Sequence, residues 1–332
     1  MKKNNVLNNI AVAKIVTGTY GQRGCTSNCP GCFLGTYDAL DKPKHQGTMK
    51  QVIETVSLLP NLKSVMLYGN PDVSVDPQFC NEIAKYLQAL HKSLVMFTSG
   101  IGGAKTIKTI MDGVNPDSVS INISVDSINE RKLRMLRGCN ISLQNIVDSM
   151  ICCNEIKVPF TISSNIWPLN ADDDFLVFKE FFKSYGAQKI RFHFGSSEGG
   201  VTMEMSHVPE DSFLEIRNKL REVGGRVPAI LVTEEEYYKW KLDSYRTQCI
   251  EAHKLHVFFE QDGIKAAACC GILAQKNPEK YIVDIREVRH LELNNIKQCP
   301  SADKSLGFKC EYLIPVCRSF SCPQHEVIHY AQ

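Results

Sequence analysis

No stretch of this 332-residue chain approaches the roughly 20 consecutive apolar residues that span a bilayer, so no helical membrane anchor is expected. The first residues, Met1-Lys2-Lys3, are weakly basic, but Asn8 and Asn9 follow where a secretion signal would need an apolar core. An excess of one charge is also lacking. The formal net charge is +2, which gives no reason to expect a general affinity for nucleic acid or anionic membranes. There is no internal repeat and no low-complexity tail. The glycine-containing run from Ser196 to Gly200 lacks the lysine of a phosphate loop. What remains is a chain long enough for one large core, or for a core with a small satellite.

Cysteine, by contrast, is abundant. Fourteen are present, and in a large chain with no secretion signal they favour metal binding over disulfides. Their distribution is uneven. Cys25, Cys29 and Cys32 crowd one end, seven lie between Cys249 and Cys322, and only Cys80, Cys139, Cys152 and Cys153 occupy the middle. The last three are expected to be thiols of the core. Two metal-rich ends around a cysteine-poor centre is not the layout of a disulfide scaffold.

The centre alternates. Short apolar runs at 11–17, 64–70, 93–100, 118–126, 158–165 and 190–195 read as six strands. Helical spacing appears over 77–91, 142–153 and 172–185, the last carrying Phe175, Phe178, Phe181 and Phe182. This order predicts repeated β/α units and a largely parallel sheet, with ligand sites beyond the strand C-termini. Cys25, Asn70, Ser99, Asp126, Asn165 and Glu198 would gather there. Residues 210–223 and 234–243 read as helices, and Asp262-Gly263 reads as a turn between two short strands.

In the run from Gly24 to Cys32 the cysteines are spaced Cys-x3-Cys-x2-Cys. Three close thiolates can hold an iron–sulfur cluster and leave one iron open. The alternative is zinc, which in a structural site takes four protein ligands. The triad resembles that of radical S-adenosylmethionine enzymes. The resemblance implies a [4Fe–4S] cluster on Cys25, Cys29 and Cys32, with S-adenosylmethionine on the open iron. It also implies an electron donor such as flavodoxin or ferredoxin, and cleavage of the sulfonium to a 5′-deoxyadenosyl radical that takes hydrogen from a substrate.

Further motifs extend the likeness. Tyr68-Gly69-Asn70-Pro71 stands where the family often has Gly-Gly-Glu-Pro, so Gly69 and Asn70 are expected at the methionine amine, although Asn70 carries no charge. Ser124 and Asp126 alternate onto one face of a strand end, where their oxygens would meet the ribose, and Asn165 is a further cofactor candidate. Gly31 replaces the usual aromatic before the third cysteine. The implied fold is a partial (β/α)6 barrel with a small C-terminal cysteine-rich domain. The expected division is a core over 1–200, a helical connection over 201–248 and an auxiliary-cluster region over 249–332.

That last region resembles the SPASM extension or its shorter twitch relative. The resemblance implies at least one auxiliary [4Fe–4S] cluster, drawn from Cys249, Cys269, Cys310 or Cys317, and Cys322. Cys270 competes with Cys269, and Cys299 is a possible replacement ligand. Gly307 stands where a further cysteine is expected.

The substrate is expected to be a peptide undergoing oxidation, crosslinking or epimerisation. Cys270 or Cys299 would be a hydrogen donor for epimerisation, and His193 a base. Arg191 and His193 share strand parity and are candidates for carboxylate or phosphate recognition. The short segment before the first strand leaves little room for a leader-peptide domain. That keeps a dehydrogenase or epimerase of a sugar, nucleoside or aminocyclitol open, as well as a nonenzymatic iron–sulfur or zinc scaffold. Oxygen sensitivity of an exposed reduced cluster favours a cytoplasmic location.

Overall fold

The structure, a computed structural model, describes residues 6–17, 25, 27, 29–30, 46–68, 72–194, 215–216, 218–219, 222, 254–261, 263–267 and 283–286. Strands and helices alternate: β1 (Val12–Val16), α1 (Met49–Leu58), β2 (Ser64–Tyr68), α2 (Pro77–Ala89), β3 (Ser93–Thr98), α3 (Gly103–Met111), β4 (Val119–Ser124), α4 (Glu130–Arg137), α5 (Leu143–Glu155), β5 (Phe160–Ile166), α6 (Phe175–Ser184) and β6 (Lys189–Phe194). The later strands β7 (Lys254–Glu260), β8 (Gly263–Ala267) and β9 (Val283–Asp284) follow.

All six expected strands form, and every helix from α1 to α6 except α3 begins where a side chain satisfies free N–H groups. Thr48 and Gln51 make a capping box on α1. Asp76 caps α2, with Pro77 in the first turn, and Asn129, Ser142 and Asp174 cap α4, α5 and α6. The end of α4 is set by Gly138, whose φ of 57° is the left-handed conformation that terminates a helix.

The described strands make one sheet in the order β6-β5-β4-β3-β2-β1-β7-β8-β9. From β1 to β6 every pairing is parallel and between sequence neighbours. Because such crossovers are right-handed, a sheet that grows in one direction carries its helices on one face. Val65, Leu67, Leu94, Met96, Ile121, Ile123, Ile162 and Phe192 point to that face and are buried in the main core. Phe192 meets Phe175 and Phe178 of α6 at centroid distances of 5.4 and 5.5 Å, and Phe178 meets Phe182 at 4.6 Å, all at steep interplanar angles.

The β7–β8 hairpin joins this sheet. β7 runs parallel to β1, with Val12 opposite Lys254 and Val16 opposite Phe258, and the Gln51 amide ties α1 to the carbonyls of Glu260 and Gly263 at 2.9 and 3.0 Å. Gly263 opens β8 opposite Glu260 rather than sitting in the turn. Glu215, Ile216, Asn218, Lys219 and Glu222 are helical, as expected for 210–223. Residues 234–243 lie outside the described residues. No helix among the described residues is long and apolar enough to cross a membrane.

Candidate functional site

A parallel sheet brings all its strand C-termini to one edge, and the N-terminal cysteines meet the chain there. Cys25 follows β1, and its Sγ accepts the Asp72 N–H at 2.9 Å from just beyond β2. Asp72 is itself held from three directions. Its Oδ1 accepts from the Thr98 hydroxyl and the Ser74 N–H, each at 3.0 Å, and its Oδ2 accepts from the Ser99 N–H at 2.6 Å. The end of β3 thus fixes the residue whose backbone donor supports the Cys25 sulfur. Such a donor favours a thiolate over a thiol.

Cys29 lies beside a second support, the Arg137 guanidinium at the end of α4. Arg137 Nη2 is 3.0 Å from Asp126 Oδ2, and both residues are buried. The pair is electrostatic rather than directed, because Arg137 Nε and Nη2 have no hydrogen-bond partner among the described residues. Burial raises the Asp126 carboxyl above its ordinary value, against the opposing pull of Arg137 and the Asn165 N–H, which donates to Oδ1 at 2.8 Å. The guanidinium stays charged, held by Asp126 and Cys29 against the cost of burial.

Ser124 is the last residue of β4, half-buried on the face opposite the helices. Asn165, near the end of β5, shares that face, with its N–H on Asp126 and its carbonyl accepting from the Asn170 amide at 2.9 Å. The Asn170 amide also donates to the Asp126 carbonyl. Ser124, Asp126 and Asn165 are therefore gathered at the same edge as Cys25 and Cys29. His193 pairs with Asn165 in the ladder, and its side chain lies outside what is described.

Cys32, Gly69, Asn70 and Glu198 lie outside the described residues, as do Cys249, Cys269, Cys270, Cys299, Cys310, Cys317 and Cys322. Among the described residues no three cysteine, histidine, aspartate or glutamate side chains converge as a metal site. Cys25 and Cys29 nevertheless fit a metal cluster. One sulfur faces a backbone N–H, the other faces a buried cation, and Arg137 Nε is a buried donor with no partner among the described residues, which suits a group carrying negative charge.

The middle cysteines divide differently from expectation. Cys152 and Cys153 are buried on α5. Burial raises both thiols, that of Cys153 to about 12, so both are inert core groups. Cys80 is likewise pushed to about 12 by burial and by the nearby Asp76 and Asp72 charges. Cys139 packs at the margin of the core. It is half-buried past Gly138, and its S–H donates to Ser27 Oγ at 3.5 Å, between the first two cysteines of the triad.

Two residues of the candidate site escaped the sequence reading. Asp72 lies two positions after Asn70, and nothing local marks it off from an ordinary turn aspartate. Arg137 carried a weak signal: it falls four residues after Leu133, on the buried side of a helix otherwise lined with charge.

No protein-family model matches this chain, and no curated protein matches it in sequence. Solved structures do share its fold. Streptococcus suis SuiB bound to S-adenosylmethionine aligns with a TM-score of 0.63 at 10% identity, over 87% of this chain and 67% of that one. SuiB bound to precursor peptide SuiA gives 0.60 at 12% identity, over 96% and 71%. Native anSMEcpe with bound AdoMet and the Cp18Cys peptide gives 0.59 at 14% identity, over 94% and 88%. At such identities the likeness is one of fold.

Proposed function

We propose that this chain is a radical S-adenosylmethionine enzyme that removes hydrogen from a peptide, leading to oxidation, crosslinking or epimerisation. The observation that carries the reading is the convergence of Cys25 and Cys29 with Asp72 and Arg137 at the C-terminal edge of a parallel β/α sheet. That proteins of the same fold are known with S-adenosylmethionine and with peptides bound supports both the cofactor and the substrate class.

In this reading Cys25, Cys29 and Cys32 hold a [4Fe–4S] cluster. When bound, the cluster and S-adenosylmethionine supply one-electron cleavage of the sulfonium and the radical that abstracts hydrogen. The protein's part is to hold and orient. The Asp72 N–H and the Arg137 guanidinium would stabilise thiolate charge. Gly69 and Asn70 would bind the methionine amine, while Ser124 would offer its hydroxyl to the ribose. Asp126, with its oxygens already engaged, acts by positioning Arg137 and Asn165. His193 would serve as a base.

The proposal includes a partial (β/α)6 barrel over 1–200, a connection over 201–248 and an auxiliary-cluster region over 249–332. Cys249, Cys269, Cys310 or Cys317, and Cys322 would hold the second cluster, with Cys270 and Cys299 as hydrogen donors or spare ligands. A flavodoxin or ferredoxin would supply the electron, in a cytoplasmic setting.

The test is isotope transfer. Anaerobically reconstituted, reduced protein is given S-adenosylmethionine and deuterium-labelled candidate peptides, and label is sought in 5′-deoxyadenosine. Transfer from a peptide supports the reading. Transfer only from a sugar or nucleoside overturns the substrate class, and a protein that holds zinc and releases no 5′-deoxyadenosine overturns the whole reading.

A further inference from the structure

The sheet face opposite the helices changes character along its length. Towards β1, β2 and β7 it carries Val16, Tyr68 and Phe258, together with Lys14 and His256. Towards β4, β5 and β6 it is polar throughout. In the ladder Ser124 stands opposite Ser163 and Ser163 opposite Arg191. One step earlier, Asn122 stands opposite Thr161 and Thr161 opposite Lys189. Residues in register on neighbouring strands share a face. These two rows therefore form one polar surface that holds two cations and no carboxylate.

Two observations indicate that this surface takes a ligand. Arg191 is exposed and makes no ion pair or hydrogen bond among the described residues. By comparison, Arg134, Arg137 and Arg286 each meet a carboxylate, those of Glu130, Asp126 and Glu54. The second observation is Asn122. It is only 5% exposed, yet its amide makes no hydrogen bond among the described residues, and Oδ1 is shut off from solvent without a partner. A leucine would fill that position on a strand without leaving a buried polar group unmet. The amide turns about a soft two-fold torsion, so it can present either its oxygen or its NH2 group to an incoming molecule.

We infer that Arg191 and Ser163, with Asn122 beside them, recognise a carboxylate-bearing segment of the substrate. The guanidinium fork matches a carboxylate in shape and charge, the Ser163 hydroxyl adds a donor, and the Asn122 amide pairs with an adjoining peptide group. Arg191 lies two strand spacings from Ser124, about 10 Å. This inference rests on the proposed function, in which Ser124 faces the cofactor. It adds that the bound peptide is acidic close to the reacting residue.

The probes are N-acetyl-aspartate amide and its neutral counterpart, N-acetyl-asparagine amide, titrated anaerobically into the reconstituted wild-type protein by calorimetry. The aspartate probe is expected to bind at least about tenfold more tightly, as a charge-assisted contact requires. Arg191→Gln should erase that preference. Asn122→Leu should weaken both probes several-fold while leaving the preference intact and the urea midpoint no lower than that of the wild type. Equal affinity for the two probes, no binding of either, or a preference that survives Arg191→Gln would overturn the inference. Tighter binding of inorganic phosphate than of the aspartate probe would overturn the choice of carboxylate. Release of 5′-deoxyadenosine by the same wild-type preparation is measured alongside. Its absence defeats the proposed function, whereas equal probe affinities defeat only the acidic-peptide site.

Discussion

The two faces of the parallel sheet are built from the same strands by different rules. Facing the helices, β4 and β5 present Ile121, Ile123, Phe160 and Ile162, all nearly inaccessible. Facing away, the alternate residues are Asn122, Ser124, Thr161, Ser163 and Asn165. One face supplies burial and the stability that follows from it. The other supplies hydroxyls and amides, which contribute little to folding. In a sheet covered by helices on both sides, both sets would be apolar. The polar set therefore marks where chemistry is expected, independently of the cysteines.

The contrast makes quantitative predictions. The largest concerns phenylalanine on opposite faces. Phe192, buried against α6, should cost about 4 kcal/mol on replacement by alanine, whereas Phe97, half-buried and stacked on Tyr68, should cost about 2 kcal/mol. Equal shifts in urea denaturation of the apoprotein would break the comparison.

The buried ion pair comes next. Arg137→Ala should cost about 3 kcal/mol by leaving Asp126 charged or forcing its protonation, while the double change Arg137→Met with Asp126→Leu should recover most of that loss. Additive losses in the double-mutant cycle would contradict the pairing.

Asp72→Asn should cost about 2 kcal/mol, because whichever way the amide turns, the Ser99 or the Ser74 N–H loses its acceptor. Iron retained after anaerobic reconstitution should fall as well, since the same residue supports Cys25. Unchanged iron would separate Asp72 from the cysteine site.

The smallest effect lies at the surface. Lys132 holds the Asp172 carboxyl below its ordinary value of 3.8 through a 2.6 Å contact, but the Asp172 side chain is 77% exposed. Because the folded chain binds this proton more weakly than the unfolded chain, the contribution is complete above 3.8 and is lost as pH falls through the lowered folded value. Screening limits it to about 0.3 kcal/mol. Asp172→Asn should remove roughly that small amount at neutral pH and flatten the profile only through that acidic window, and a change in the slope near neutrality would contradict this account.

Much of the architecture was legible in the sequence, because burial on one side of a strand leaves a period-two pattern. Every one of the six strands appears within a few residues of its expected limits, and α2, α5 and α6 follow their apolar stripes. The reading did not pick out α1, α3 and α4. In α4, Leu133 and Leu136 are the only buried apolar residues among five charged ones, which leaves too narrow a stripe. The gathering of Cys25, Ser124, Asp126 and Asn165 was also legible, since parallel strands align their C-terminal ends whatever the details of packing. What stayed hidden depends on contacts distant in sequence. Asp72 gains its meaning from Thr98, Ser99 and Cys25, and Arg137 from Asp126 and Cys29. Cys139 looked like its neighbours on α5, but Gly138 ends α4 and turns the chain so that its thiol reaches Ser27.

The account turns on Cys25, Cys29 and Cys32 holding iron that S-adenosylmethionine can reach. The direct measurement is 5′-deoxyadenosine release by the anaerobically reconstituted, reduced protein, beside Cys29→Ala prepared identically. Release by the wild type and background levels in the variant is the expected result. Equal release from both, or none from wild-type protein carrying its full complement of iron and sulfide, would contradict it.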